Sequence, residues 1–473
     1  MSAGQSLGEG MLPASLDPQL DRRGLLRLGL HAAAGALVGA AGGCAPRAPG
    51  GAPAAQGPQP AKGPVTLQFV GWDYQPDTVR KNLDYFESQY PGIKVEYRWG
   101  ACCAEYRKQR ITEFLGGVPI DALYMRDEDI AEWAEAEYIR PLDDMPGAAD
   151  LSKDEFPFVT EQTHYKGKRY GTIYYVGVQV FMYNMKHLEQ IGAKPPETYD
   201  DWLRIARELK AARIVEYPIW GGPPGGDFTF EYLASGGKMF DANNNPLFGK
   251  DPLYQEVVEW HIRSYHDWKI RGTTGEGVAD PLMNGYCSFF WTSFYELKRF
   301  NGLTPDVKGD PTKVGIAAGS LRNAIMPTMQ KGKSGGVGIV RMYAVAKNTK
   351  HPLEAWQLIN FLGGKDKNGN YYTAKMWWLN FGLGFGYKSL EKDPEIRASI
   401  QEWADVDAYF KQANVSSPRP GMQAPWGDQW RTEFSAVMSR AGRREIPVKD
   451  AIAEGVRIWE RLRDEWERTK GRK

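Results

Sequence analysis

Fourteen consecutive residues, Gly171-Thr-Ile-Tyr-Tyr-Val-Gly-Val-Gln-Val-Phe-Met-Tyr-Asn184, carry no charge and no proline and are rich in β-branched and aromatic side chains. That composition predicts a long strand buried on both faces. Gly171 and Gly177 interrupt it, and glycine inside a strand marks a bend or a close backbone approach. Segments on either side each have the makings of an α/β unit. The run is therefore read as a strand that carries the chain from one lobe into the other, although an ordinary core strand would have the same local composition.

The preceding segment alternates strictly. Val65–Trp72 is strand-like, and Asp77–Tyr90 places Val79, Leu83, Phe86 and Tyr90 at helical spacing before Pro91-Gly92 stops it. Ile93–Tyr97, Glu105–Leu115, Asp121–Met125 and Asp129–Glu135 continue as strand, helix, strand, helix. Such alternation implies a parallel sheet covered by helices, with ligands beyond the carboxyl ends of its strands. Trp72-Asp73, Gly100–Cys103 and Arg126-Asp127 lie at those ends. An aromatic face and charged groups suit a polyhydroxyl ligand through stacking and bidentate hydrogen bonds. Asp127 or Asp129 could equally cap the next helix, and the cap is preferred for Asp129.

Beyond the long strand, Thr198 and Asp201 stand at capping-box spacing before a helix to Leu209, whose apolar face makes Trp202 a core residue. Tyr217–Trp220 runs into a Gly/Pro loop ending at Asp227, so Trp220 and Asp227 are candidates at a mouth. Phe228–Ser235 and Pro252–Lys269 are helices. Asp241–Pro246 is a turn, because Pro246 stands where a calcium loop needs glycine. Tyr286–Trp291, Val314–Ala317 and Val337–Ala346 are strands, and helices dominate from Pro352.

A chain of 473 residues exceeds one typical core, so two lobes are expected. A net charge of +1 offers no basic surface for nucleic acid. Sixteen tryptophans are more than a core needs, whereas six histidines and four cysteines leave little for a metal. No cofactor is expected. Arg22-Arg23-Gly24-Leu25-Leu26-Arg27 precedes an apolar Ala/Gly run, the pattern of a twin-arginine export signal. Ala41-Gly42-Gly43-Cys44 is lipobox-like, with Ala41 where such boxes carry Leu. Residues 1–44 are thus expected to be the signal, with Cys44 lipidated, and 45–64 a disordered tether. The body then lies in the periplasm or at the outer face of the cytoplasmic membrane.

The combination of Pro119–Tyr124, Ala131–Asp144, Tyr183-Asn184, Pro195–Trp202, Gly335-Gly336 and Ala344–Phe361 resembles the extracellular solute-binding proteins of family 1, the maltose-binding-protein-like receptors of ABC importers. The resemblance implies a two-lobe α/β clamp. Lobe one would be residues 65–176 plus 291–338, and lobe two 177–290 plus 339–473, joined by crossover strands hinged at Val176, Gly177 and Gly338. It implies a monomer that binds carbohydrate, of di- or oligosaccharide length, and delivers it to membrane permease subunits. Trp72, Asp73, Arg126, Asp127, Tyr175, Trp220, Asp227, Trp291, Gly335, Gly336, Trp378 and Arg419 are the candidate ligand residues. Val337 departs from the family, where Trp often follows the paired glycines.

Gly332-Lys-Ser-Gly-Gly336 matches a nucleophile-elbow pattern, but a loop precedes it and a strand follows, so no hydrolase is read from it. A glycosidase needs only two facing carboxylates. Glycerol-phosphate esters and other polar solutes are the rival ligands, but an anion would call for several cleft cations and only Arg126 and Arg419 are candidates, so aromatic richness favours a sugar. With Cys44 lipidated, Cys102, Cys103 and Cys287 remain; either the vicinal pair is bonded or one of them joins Cys287.

Overall fold

The computed structural model describes residues 58–61, 63–274, 281–310 and 312–470. The expected signal, Cys44 and most of the tether lie outside them. At the tether's described end, the Ala61 N–H donates to Glu354 Oε1 at 2.7 Å, so this part rests on the body.

The strands are β1 Val65–Trp72, β2 Ile93–Gly100, β3 Ala122–Arg126, β4 His164–Tyr165, β5 Lys168–Arg169, β6 Thr172–Asn184, β7 Ile219–Trp220, β8 Arg271–Gly272, β9 Phe289–Ser293, β10 Leu321–Ala324, β11 Gly336–Val345 and β12 Ser416–Pro418. Among the described residues β4 and β5 form a hairpin, and the others one sheet in the order β2-β1-β3-β11-β6-β9-β7-β8, with β10 on β6 and β12 on β11. Helices flank both halves, giving a two-lobe α/β fold. The parallel pairing of β1 with β2 and β3 follows from their helical crossovers.

The uncharged run is β6, buried along nearly its whole length. Its first half pairs with β11, and β11 in turn pairs with β3 through Arg341–Val345. Its second half pairs with β9 through Gln179–Tyr183 and with β10 through Phe181–Asn184. β6 therefore belongs to both lobes. β11 does the same in the opposite direction: Gly336–Gly338 lie beside β12, and Arg341–Val345 beside β3. A register shift separates Arg341 from Met342.

This pairing redraws the expected lobe boundaries. β9 and β10 bond to the second half of β6, so these two strands lie with lobe two. The helix Pro352–Gly363, after β11, packs on β1, β3, β6 and β11 and lies with lobe one. A buried apolar run marks a strand but neither that it crosses nor in which direction, and the pairing of β11 runs opposite to the expected order. The helices Gly427–Gly442 and Val448–Lys470 pack with Pro252–His266 around Trp430, Phe434 and Trp459. Val314–Ala317 is a turn rather than a strand, and the neighbouring strand is β10. The capping box forms as read, with Thr198 Oγ1 accepting from the Asp201 N–H at 3.1 Å; such caps contribute about 1 kcal/mol.

Candidate functional site

The carboxyl ends of β1 and β3 supply the first-lobe rim. Trp72 is only 1% exposed and packs edge-on against Tyr106 and Tyr124. Tyr106, Tyr124 and Tyr174 cover the indole at the end of the strand, on the face that is open at Thr66, which corrects its assignment to ligand. Asp73 is exposed and its N–H donates to the Gly100 carbonyl at 2.9 Å. Tyr74 lies against Trp377 and Phe381.

The end of β3 builds a buried ion network. Arg419, which follows β12, donates from Nη2 to Asp127 Oδ1 and to Glu128 Oε2, both at 2.7 Å, and from Nε to Asp127 Oδ2 at 3.3 Å. Arg341 of β11 donates from Nη1 to Asp127 Oδ1 at 2.5 Å and to Glu128 Oε2 at 3.0 Å. Arg126 pairs with Glu128 at 3.2 Å and with Asp129 at 3.1 Å. Asp129 also accepts from Arg107 Nε at 2.9 Å and caps no helix through its side chain, contrary to expectation. Burial, with Glu128's charge, pushes the Asp127 carboxyl up to about 7 against the pull of Arg419 and Arg341. Burial opposes ionisation of Glu128 as well, yet Arg126, Arg419 and Arg341 hold it well below the usual carboxylate range. Arg126, Asp127 and Arg419 were expected to meet ligand; here both Asp127 oxygens are engaged by arginines, and the network ties β3 to the segment after β12.

The hinge candidates lie where the crossing strands meet. Val176 pairs with Val340, Gly177 with Ile339, and Gly338 with Val178. A Cβ on Gly177 would stand 2.9 Å from Ser293 Oγ, and one on Gly338 2.2 Å from the Phe158 ring. The buried Gln162 bonds across this point, donating to the Gly338 carbonyl at 2.7 Å and accepting from the Val340 N–H at 3.3 Å. No sequence signal marked Gln162. Tyr175 is buried beside Tyr174 and Tyr295. Gly335 and Gly336 are close-approach positions: a Cβ on Gly335 would meet the Leu233 carbonyl oxygen at 2.1 Å, and one on Gly336 the Gln412 amide at 2.2 Å. Packing explains both glycines without a ligand.

In the second lobe the structure gathers Trp220, Asp227, Trp291 and three residues that sequence reasoning missed, Glu231, His261 and Arg271. The buried Arg271 guanidinium lies 5.4 Å from the Trp291 ring centre. It donates from Nε to Ser264 Oγ at 3.0 Å and from Nη1 to the Trp220 carbonyl at 3.3 Å. Its Nη2 lies 3.0 Å from His261 Nδ1. A guanidinium only donates, so His261 Nδ1 accepts and Nε2 carries the proton toward Tyr199 Oη, 3.2 Å away. Burial and then Arg271 hold the His261 pKa well below the usual imidazole value, which keeps the ring neutral. Asp227 accepts from the Thr229 N–H at 3.1 Å and from Arg431 Nε at 2.9 Å. Burial works against its ionisation, but Arg431 holds its carboxyl low. Glu231 differs: burial, and then the charge of Asp227, raises it to about 7. Residues 228–235 read only as a helix, and Arg271 follows the long helix without a motif.

Trp378 is fully buried, stacks on Phe294 and donates from Nε1 to Ser399 Oγ at 3.1 Å. It belongs to the core between helices, not to a ligand surface. Cys102 and Cys103 are bonded to each other at the start of the helix Cys103–Leu115. Cys287 is a buried free thiol whose pKa burial pushes up, so bonding to Cys287 is not the arrangement found. Among the described residues, no helix is long and apolar enough to cross a membrane.

Among known proteins, an uncharacterized ABC transporter extracellular-binding protein of Pyrococcus horikoshii is 25% identical over 372 residues, covering 72% of this chain and 80% of the relative. An uncharacterized lipoprotein encoded in the oleD 5′ region of Streptomyces antibioticus is 29% identical over 419 residues, covering 84% and 86%. The solved sugar-binding protein MalE of Xanthomonas citri shares the fold with a TM-score of 0.71 at 18% identity, over 86% of this chain and 99% of that one. Residues 72–369 match the family described as bacterial extracellular solute-binding protein. With its crossing strands and its match over more than half its length, the chain belongs to the bacterial extracellular solute-binding proteins.

Proposed function

We propose that the protein is the substrate-binding receptor of an ABC importer, capturing a di- or oligosaccharide between its lobes and presenting it to membrane permease subunits. The observation that carries this reading is that β6 and β11 run continuously through both halves of one sheet, in a chain of this family. Two strands crossing side by side leave the lobes able to bend about Val176, Gly177 and Gly338 while staying registered, the geometry of hinge closure. A ligand favours the closed form only by touching both lobes. Asp73 on the first lobe and Trp220, Trp291 and their neighbours on the second are the residues proposed for that contact. The sugar-binding neighbour among solved structures supports carbohydrate as the ligand class. The lipoprotein relative supports lipidation at Cys44 and residence on the outer face of the membrane. We take the receptor to act as a monomer and without catalysis.

A thermal-shift panel of mono- and oligosaccharides, a hexitol and a glycerol phosphodiester tests the reading. A ligand held only by the folded state adds about 2.7 kcal/mol of stability at a hundredfold excess over Kd. Stabilisation by a sugar is expected. Stabilisation by the phosphodiester alone would replace sugar with an anion, and turnover of a labelled oligosaccharide by the purified protein would overturn the receptor assignment.

A further inference from the structure

The buried acids described above are matched to cations, with one exception. Asp127 and Glu128 face arginines, and Asp227 faces Arg431. Glu231, on the short helix Thr229–Ala234, is 7% exposed and has no lysine or arginine at ion-pair distance among the described residues. Against burial and the charge of Asp227, which raise its pKa, its own backbone N–H and the Trp291 indole favour the charged form of Glu231. Arg271 mirrors it. At 4% exposure it bonds to Ser264, His261 and the Trp220 carbonyl, and it has no carboxylate at ion-pair distance among the described residues. The two charges influence each other yet do not close into a pair. A buried ion kept apart from its counter-ion costs several kcal/mol. Three engaged contacts also leave part of a guanidinium's five-donor fork.

The surroundings select what could complete the two groups. An anion would meet the negative charge of Glu231, and a cation that of Arg271. A neutral polyhydroxyl ligand meets both: hydroxyl hydrogens satisfy a carboxylate, and hydroxyl or ring oxygens satisfy a guanidinium. Trp291, partly exposed and with Arg271 against its ring, offers the flat apolar surface that a sugar ring stacks on.

We propose that Glu231, Arg271 and Trp291 form the hydroxyl-reading end of the ligand site in the second lobe, Glu231 accepting from adjacent hydroxyls of a sugar or polyol while Arg271 donates to the ligand's oxygens. This rests on the carbohydrate reading above. It makes Glu231 the residue that discriminates between polyhydroxyl ligands, because a carboxylate accepting two hydrogen bonds fixes the spacing of the hydroxyls it reads.

Calorimetric titration of wild type, Glu231→Gln, Glu231→Asp and Trp291→Phe with maltose, maltotetraose and D-mannitol tests it. Glu231→Gln keeps the shape but removes one acceptor and the charge, so affinity for the bound sugar is expected to fall about tenfold or more. Its ligand-free melting temperature should not fall, since an unpaired buried charge has been removed. Glu231→Asp keeps the charge but shortens the reach, and should weaken binding and alter the preference among the three ligands. Trp291→Phe should bind more weakly and lose the ligand-induced fluorescence change. Wild-type binding with unchanged affinity in both Glu231 variants overturns this inference and leaves the carbohydrate reading standing. No binding of any of the three by wild type overturns both, as would binding of an α-amino acid, whose opposite charges would suit the same two groups.

Discussion

Replacing Arg419 with Met should expose how much of the fold's stability rests on the ion network between β3 and the segment after β12. Met retains most of the apolar stem and volume while removing three contacts to carboxylates, at 2.7, 2.7 and 3.3 Å. Breaking a buried ion pair from one side costs about 3–5 kcal/mol, because the partner stays buried without its counter-charge. The lower end applies here. Asp127 and Glu128 still face Arg341, and Glu128 still faces Arg126, so two cations remain for two anions. We therefore expect a loss of about 3 kcal/mol, read as a shift of the urea midpoint at unchanged slope and followed by tryptophan fluorescence. The double variant Asp127→Asn/Arg419→Met removes the stranded anion as well and should recover part of the loss, giving a coupling energy in a double-mutant cycle. A loss below about 1 kcal/mol in the single variant, the level of an exposed pair, would refute the claim that Arg419 neutralises a buried carboxylate. Because Arg419 joins segments on either side of the crossing, the variant should also alter the scattering difference between ligand-free and ligand-saturated protein.

Gly177→Val places a branched side chain where even a Cβ lies 2.9 Å from Ser293 Oγ and 3.7 Å from the Tyr295 ring; a destabilisation of about 1–3 kcal/mol is expected, with a reduced ligand-induced change in radius of gyration by X-ray scattering. Unaltered closure would remove Gly177 from the hinge. Glu231, raised from 4.5 to about 7, holds in the folded state a proton that the unfolded chain releases earlier. Its contribution to stability is complete below pH 4.5 and lost as pH rises through about 7. The melting temperature of wild type relative to Glu231→Gln should accordingly fall between pH 5 and 8, roughly the window those two values bound; a flat difference refutes the buried carboxylate. Mass mapping without reductant should return Cys102 and Cys103 as one oxidised peptide, and Cys287 should resist thiol reagents until the protein unfolds. A reactive native Cys287, or a peptide joining it to Cys102 or Cys103, would contradict the arrangement.

Much of the scaffold was legible because it follows from local rules. The strand–helix alternation of residues 65–135 fixes a parallel sheet by connection length alone, and the capping box at Thr198 is a contact between residues three apart. The uncharged run could only be a strand buried on both faces, and β6 is one. The aromatic assignments fared less well. Trp72 and Trp378 have the chemistry of a stacking surface, but one is covered by Tyr106, Tyr124 and Tyr174 and the other sits between Phe294 and Ser399, neither of which is visible in composition.

Charges were least legible, since their partners are remote in sequence. Arg126, Asp127 and Arg419 read in the sequence as separate ligand candidates, but Arg341 and Arg419, which engage Asp127, come from 214 and 292 residues away. A carboxylate that could accept a sugar hydroxyl and one already held by two guanidiniums look identical in the sequence. The same separation hid Glu231 and Arg271, which acquire meaning only when a short helix and β8 bring them to Trp291. The sequence by itself determined the kind of fold and that residues 171–184 form one long buried strand, because hydrophobic periodicity and turn chemistry act within a few residues. Tertiary structure alone decided the direction of the second crossing, which acids are neutralised and which aromatics are core, because these depend on pairing between segments hundreds of residues apart.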